Sequence, residues 1–189
     1  MPLSTLKIAT AVAALVVCAL HTGVGASTIY IIRHGEKKSV VGCLDAQGQG
    51  RANNLQGVFN GDRFAIPTAI FANFYDDLID CERCNETVTP TAVKLGLPID
   101  LKHGYNPLLG GNSKAAEAMK SSLKRGGDET VVLASWEHFN IQFLAVDLGV
   151  DKSKIPNWAS SDYDSVYVLE FDSTQTLTNF TASAQNYNP

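Results

Sequence analysis

The stretch Ser27-Thr28-Ile29-Tyr30-Ile31-Ile32-Arg33-His34-Gly35-Glu36 limits what this chain can fold into more than any other. From Thr28 to Ile32 it is β-branched or aromatic without a break, the pattern of a strand buried on both faces. Strands of that kind belong in parallel sheets covered by helices. This one stops abruptly at Arg-His-Gly, so its carboxyl end carries two polar side chains. In open α/β sheets ligands bind outside the carboxyl ends of the strands.

The remainder of the chain alternates in the same sense. The pattern predicts a helix from about Asp45 to Phe59 and a strand over Thr68–Phe74. A helix over Cys84–Leu95 is stopped by Gly96, and Pro98–Leu101 is a short strand. Ser113 is the expected cap of a helix running to Lys124, Thr130–Ser135 is a strand, Phe139–Leu148 a helix and Ser165–Phe171 the last strand. Strands alternating with helices predict a single α/β domain with a mostly parallel sheet. The domain is expected over residues 27–172, with 173–189 as a polar C-terminal tail.

Residues 1–26 read as a signal peptide. Lys7 precedes a 13-residue apolar run, Ile8–Leu20, and Val24-Gly25-Ala26 offers small residues at a cleavage point before Ser27. The run is short of the ~20 residues that a membrane span needs. The expectation is a secreted protein with no membrane association after cleavage. The full chain of 189 residues carries a formal charge of −4, which argues against general nucleic-acid binding.

Without the leader, Cys43, Cys81 and Cys84 remain. In an oxidising compartment an odd number predicts one disulfide and one free thiol. Cys43–Cys81 and Cys43–Cys84 are both open. Cys81-Glu82-Arg83-Cys84 is a lone C-x-x-C, without the further ligands that zinc requires; a redox function through it is a minor alternative. Asn85-Glu86-Thr87 and Asn179-Phe180-Thr181 are glycosylation sequons.

The carboxyl-end rule turns the strand pattern into a site. Arg33 and His34 end the first strand, Glu137 and His138 follow the strand Thr130–Ser135, and Arg83 follows the second strand after a loop. Two arginines and two histidines on one rim suit a dianion, since the guanidinium fork matches phosphate oxygens two at a time. A neutral imidazole is also a nucleophile, and its attack on phosphorus gives a phosphohistidine. Lys37 is a further phosphate-binding candidate. Arg51 and Lys38 could extend the anion site or simply be solvated. Glu36 suggests an orienting or structural charge.

Arg33-His34-Gly35-Glu36 after a hydrophobic strand resembles the signature of the histidine phosphatase superfamily, the phosphoglycerate-mutase-like fold. Arg83-Cys84-Asn85-Glu86-Thr87 resembles that family's S-x-R-x-x-x-T segment, with Cys81 in place of the serine. Asp45-Ala46-Gln47-Gly48 with Arg51 resembles the opening of its first helix, and Ser135-Trp136-Glu137-His138 the site of its second histidine. The similarity runs from about Thr28 to Phe171. It implies a three-layer α/β/α sandwich and a phosphomonoester hydrolase that needs neither metal nor cofactor. It implies His34 as the phosphorylated nucleophile, with Arg33, Arg83 and His138 around the phosphate. The partner is then a small-molecule phosphate ester or a phosphorylated substrate.

The general acid departs from the family pattern. No carboxylate lies between Asp100 and Glu117, and Phe139 stands where another branch has an aspartate. Glu137 is the remaining candidate; it could equally orient His138 or be an ordinary loop charge. The alternatives to a hydrolase are a non-catalytic phosphoanion-binding protein that keeps the pocket and a phosphoglycerate-mutase-like phosphotransferase.

Overall fold

Side chains on the first strand alternate between two buried cores, and the whole architecture follows from that. In the computed structural model, which describes residues 26–38, 42–75, 82–104, 111–127 and 129–189, β1 spans Ser27–Arg33. Ile29 and Ile31 enter one hydrophobic cluster, and Tyr30 and Ile32 enter another on the opposite face. Two cores on one strand require a covering layer on each side, since successive side chains point to opposite faces.

The chain continues through α1 (Ala46–Val58), β2 (Ala69–Ala72), α2 (Arg83–Leu95), β3 (Ile99–Asp100), α3 (Gly111–Gly126), β4 (Val131–Trp136), α4 (His138–Asp147), β5 (Ser165–Phe171) and β6 (Leu177–Ala184). The sheet order is β3-β2-β4-β1-β5-β6. Strands β1 to β4 run parallel, while β5 pairs antiparallel with β1 and β6 antiparallel with β5. Leu55, Val58, Cys84 and Val88 from α1 and α2 cover one face. Ala115, Met119, Ile141 and Leu144 from α3 and α4 cover the other. This is a three-layer α/β/α sandwich with a mostly parallel sheet.

Local chemistry sets the element ends. Asp45 caps α1 by accepting from the Gly48 amide at 2.9 Å. Gly96 stops α2 at φ +66°, where a side chain would be strained. Two sequence expectations change. Helix α3 begins at Gly111, so Ser113 lies inside it rather than capping it. The expected polar tail after Asp172 contains β6, an edge strand on β5 with mostly exposed side chains. Beyond it, the Asn186 and Tyr187 amides donate to the Asp164 carboxylate at 3.0 Å each.

The expected leader up to Gly25, and Cys81, lie outside the described residues. Among the described residues no helix is long and apolar enough to cross a membrane.

Candidate active site

The rim is assembled by register. Arg33 at the end of β1 is paired with Trp136 at the end of β4, and the His34 amide donates to the Trp136 carbonyl at 3.2 Å. His34 therefore leaves β1 beside Glu137 and His138. Glu137 is the N-cap of α4 and His138 its first residue; Arg83 is the first residue of α2. Two helix N-termini, each with unsatisfied amides and a positive dipole end, thus face the rim.

Gly35 is there because of a close approach. A Cβ on it would lie 3.0 Å from the Gly48 backbone, and a Cβ on Gly48 would lie 2.2 Å from the Glu36 carbonyl oxygen. The first turn of α1 is stacked on the loop that holds His34. Gly48→Ala is accordingly expected to destabilise the protein by about 1–3 kcal/mol through overpacking, read as a lower denaturant midpoint.

His34 is fully buried. Its Nδ1 lies 2.7 Å from the Gly35 carbonyl oxygen. A carbonyl only accepts, so Nδ1 carries the proton that is donated there. That fixes the ring and directs Nε2 into the site. The Gly35 amide donates to Thr87 Oγ1 at 2.8 Å, and the Thr87 hydroxyl donates to the Arg83 carbonyl at 2.7 Å. Thr87 lies four residues after Arg83, on the same face of α2. It therefore ties the arginine's helix turn to the histidine loop, which explains the R-x-x-x-T spacing.

Arg33 is held from the other side. Its Nη1 donates to the carbonyls of Ser160 (2.7 Å) and Asp162 (3.0 Å), and its guanidinium stacks 3.8 Å from the centre of the Tyr163 ring. The Tyr163 ring also meets His34 edge-on at 5.9 Å. Among the described residues, Arg33 Nε, Arg83 Nε, Arg83 Nη1 and His34 Nε2 are buried without a hydrogen-bond partner. Orphaned buried polar atoms are costly and rare in native proteins. Four of the nine such side-chain atoms among the described residues belong to Arg33, His34 and Arg83.

Glu137 bridges the two groups expected to bind phosphate. Arg83 Nη2 and the Tyr75 hydroxyl both donate to Oε1, and Oε2 lies 3.6 Å from His34 Nε2. Burial pushes this carboxyl up, but His34, the Tyr75 hydroxyl and Arg83 outweigh it and hold the pKa at about 2. Glu137 is thus a carboxylate here, not a loaded acid. The His138 imidazole is pushed down by burial and by Arg33, His34 and Lys37, against Glu137. The Lys37 ammonium is pushed down by burial, Arg83 and Arg33, again against Glu137. Arg33, His34, Arg83 and Glu137 are thus brought together, and Lys37 and His138 lie within electrostatic reach of them.

Arg51 is not among them. Its guanidinium forks onto the Glu36 carboxylate (2.7 Å to Oε1) and reaches Asp164 at 3.0 Å. It braces the loop after His34 from outside rather than extending the anion site, and Glu36 is its counter-ion. Cys84 is a free, fully buried thiol, so a Cys43–Cys84 bridge is not made. Burial and the nearby Glu137 carboxylate raise its pKa, which disfavours the reactive thiolate. Among the described residues no group of three or more His, Cys, Asp or Glu could hold a metal ion. Tyr75, Tyr163 and the bracing role of Arg51 were not foreseen from sequence. Only Thr87 was signalled, by its spacing from Arg83.

Sheet order and layers together are those of the phosphoglycerate-mutase-like fold. Solved structures bear this out. The protein histidine phosphatase SixA complexed with tungstate aligns over 84% of this chain and 97% of its own, with a TM-score of 0.56 and 16% identity. Phosphoserine phosphatase from Entamoeba histolytica covers 84% and 98%, with a TM-score of 0.54 and 14% identity. A mycobacterial glucosyl-3-phosphoglycerate phosphatase covers 86% and 100%, with a TM-score of 0.59 and 14% identity. No protein-family model and no curated protein matches the sequence.

Proposed function

We propose that this protein is a secreted phosphomonoester hydrolase that works through a phosphohistidine on His34. The observation that carries the reading is the set of orphaned donors, Arg33 Nε, Arg83 Nε and Arg83 Nη1, around an imidazole whose Nδ1 is tied down and whose Nε2 is unpartnered. Fixed cationic donors can neutralise the charge of a phosphoryl group in flight. His138 at the head of α4 and Lys37 complete the phosphate pocket. The structural neighbours include phosphatases for small phosphorylated compounds, which supports a small phosphate ester as substrate. In the secreted reading β1 starts at Ser27, the first residue after the expected cleavage point. With Cys84 free, the remaining pairing proposed is Cys43–Cys81.

The test is rapid quenching during turnover of a ³²P-labelled phosphate ester. The expected result is an acid-labile, base-stable label on the peptide containing His34. Turnover with no such label would remove the phosphohistidine. Saturable phosphate binding without any turnover would leave a phosphoanion-binding protein.

A further inference from the structure

A phosphoryl group bound to Arg83 and attacked by His34 would not find the space beside them empty, because a carboxylate already stands there. Glu137 Oε1 takes Arg83, and Oε2 stands 3.6 Å from His34 Nε2. A phosphorus atom ready for attack must itself lie about 3–3.5 Å from that nitrogen. Both groups do not fit on one side of one imidazole. Two anions a few ångströms apart in a site withdrawn from water also repel strongly. His34 is meanwhile 0% exposed, so its reactive nitrogen is closed to substrate while the carboxylate stays in place.

We propose that Glu137 is a built-in competitor for the phosphate site: an incoming dianion displaces its carboxylate from Arg83 and from beside His34, and the displaced side chain takes up a proton from solvent. This rests on the hydrolase reading of the same pocket. The groups that face Glu137 come from every element around it: Arg83 and Cys84 on α2, Tyr75 after β2, Arg33 at the end of β1, His34 and Lys37 beyond it, and His138 on α4. Among these, His34, Tyr75 and Arg83 hold the carboxyl ionised against its burial. A bound dianion takes over Arg83, displaces the carboxylate from beside His34 and adds negative charge. Burial, which favours the neutral acid, then dominates.

The captured proton has a use. As His34 Nε2 forms its bond to phosphorus, the bond from phosphorus to the leaving oxygen breaks, and the Glu137 proton passes to that oxygen, which departs as the neutral alcohol. Water then attacks phosphorus and gives a proton to the Glu137 carboxylate while the phosphorus–Nε2 bond breaks. When phosphate leaves, Glu137 returns to Arg83 as a carboxylate and releases the proton. The same side chain closes the empty site and serves as the acid of the filled one.

Difference infrared spectroscopy with tungstate as the dianion tests this on the whole protein. A protonated-carboxyl C=O band is expected to appear on tungstate addition, to shift with ¹³C-glutamate labelling and to be lost in Glu137→Gln. The same substitution removes the competing charge, so tungstate is expected to bind about tenfold more tightly or better. Tyr75→Phe deletes one hydrogen bond to the carboxylate; it is expected to tighten binding by a smaller factor, and it decides the matter if Glu137→Gln does not fold. Tungstate binding with no carboxyl band, a band that survives in Glu137→Gln, or weaker binding in either variant overturns the proposal and leaves the hydrolase reading standing. If wild-type protein does not bind tungstate, the phosphate-site reading falls and this proposal with it.

Discussion

Replacing His34 by alanine is expected to lower kcat/KM for p-nitrophenyl phosphate by about 10⁴-fold or more, the scale seen when a covalent nucleophile is deleted. Everything around His34 serves one nitrogen. Gly35 holds Nδ1, Thr87 holds the Gly35 amide, and the fork of Arg51 onto Glu36 braces the next residue. Alanine leaves the arginines and His138 in place, so phosphate analogues are still expected to bind. Binding kept while turnover disappears separates a nucleophile from a structural histidine. Activity within tenfold of wild type would remove His34 from the chemistry. Circular dichroism before and after the substitution tells whether the fold persists.

The second large effect belongs to Arg83. Its replacement by methionine keeps a long apolar stem but strands the buried Glu137 carboxylate, whose Oε1 now accepts from the arginine. Removing one partner of a buried ion pair costs about 3–5 kcal/mol, measurable by urea unfolding at neutral pH. Adding Glu137→Gln to Arg83→Met is expected to restore part of the loss, since the unpaired charge is its main source. The pH dependence has a definite sign. In the wild type the Glu137 pKa is depressed to about 2 from an unperturbed value of about 4.3. Its contribution is therefore fully present above that unperturbed value and lost as pH falls towards the folded one. Arg83→Met lacks that acid-sensitive contribution, so the stability gap between the two proteins narrows on acidification. A gap independent of pH would show that Arg83 acts by packing alone.

The parts of this molecule that were legible in its sequence are those whose causes are local. The run Thr28–Ile32 reads as a doubly buried strand because both faces need apolar side chains, and the two clusters on β1 show why. Arg33, His34, Arg83 and His138 follow once the strands are placed, because a parallel sheet gathers its carboxyl ends on one rim. Strand β6 was hidden because an edge strand with exposed side chains carries little apolar alternation; Leu177 and Phe180 pack only partly against the core. The roles of Arg51, Tyr75 and Tyr163 depend on partners far along the chain. Arg51 reaches Asp164, Tyr75 reaches Glu137, and Tyr163 reaches Arg33. No spacing within a single element encodes such meetings. Elimination makes Glu137 a candidate acid, but the sequence does not give its charge state, because that state is set by three residues on three other segments.

The position of β1 in the middle of the sheet also governs when the rim can first assemble during biosynthesis. Thr28 pairs with Val131 and Ser27 with Phe171, so the central strand waits for neighbours that emerge roughly a hundred residues or more later, and such distant pairings form slowly. His34 meets Glu137 only after the strand before each has docked. A nascent chain halted anywhere before β4 therefore carries His34 without Glu137 beside it, and the rim forms only once the sheet has closed around its centre.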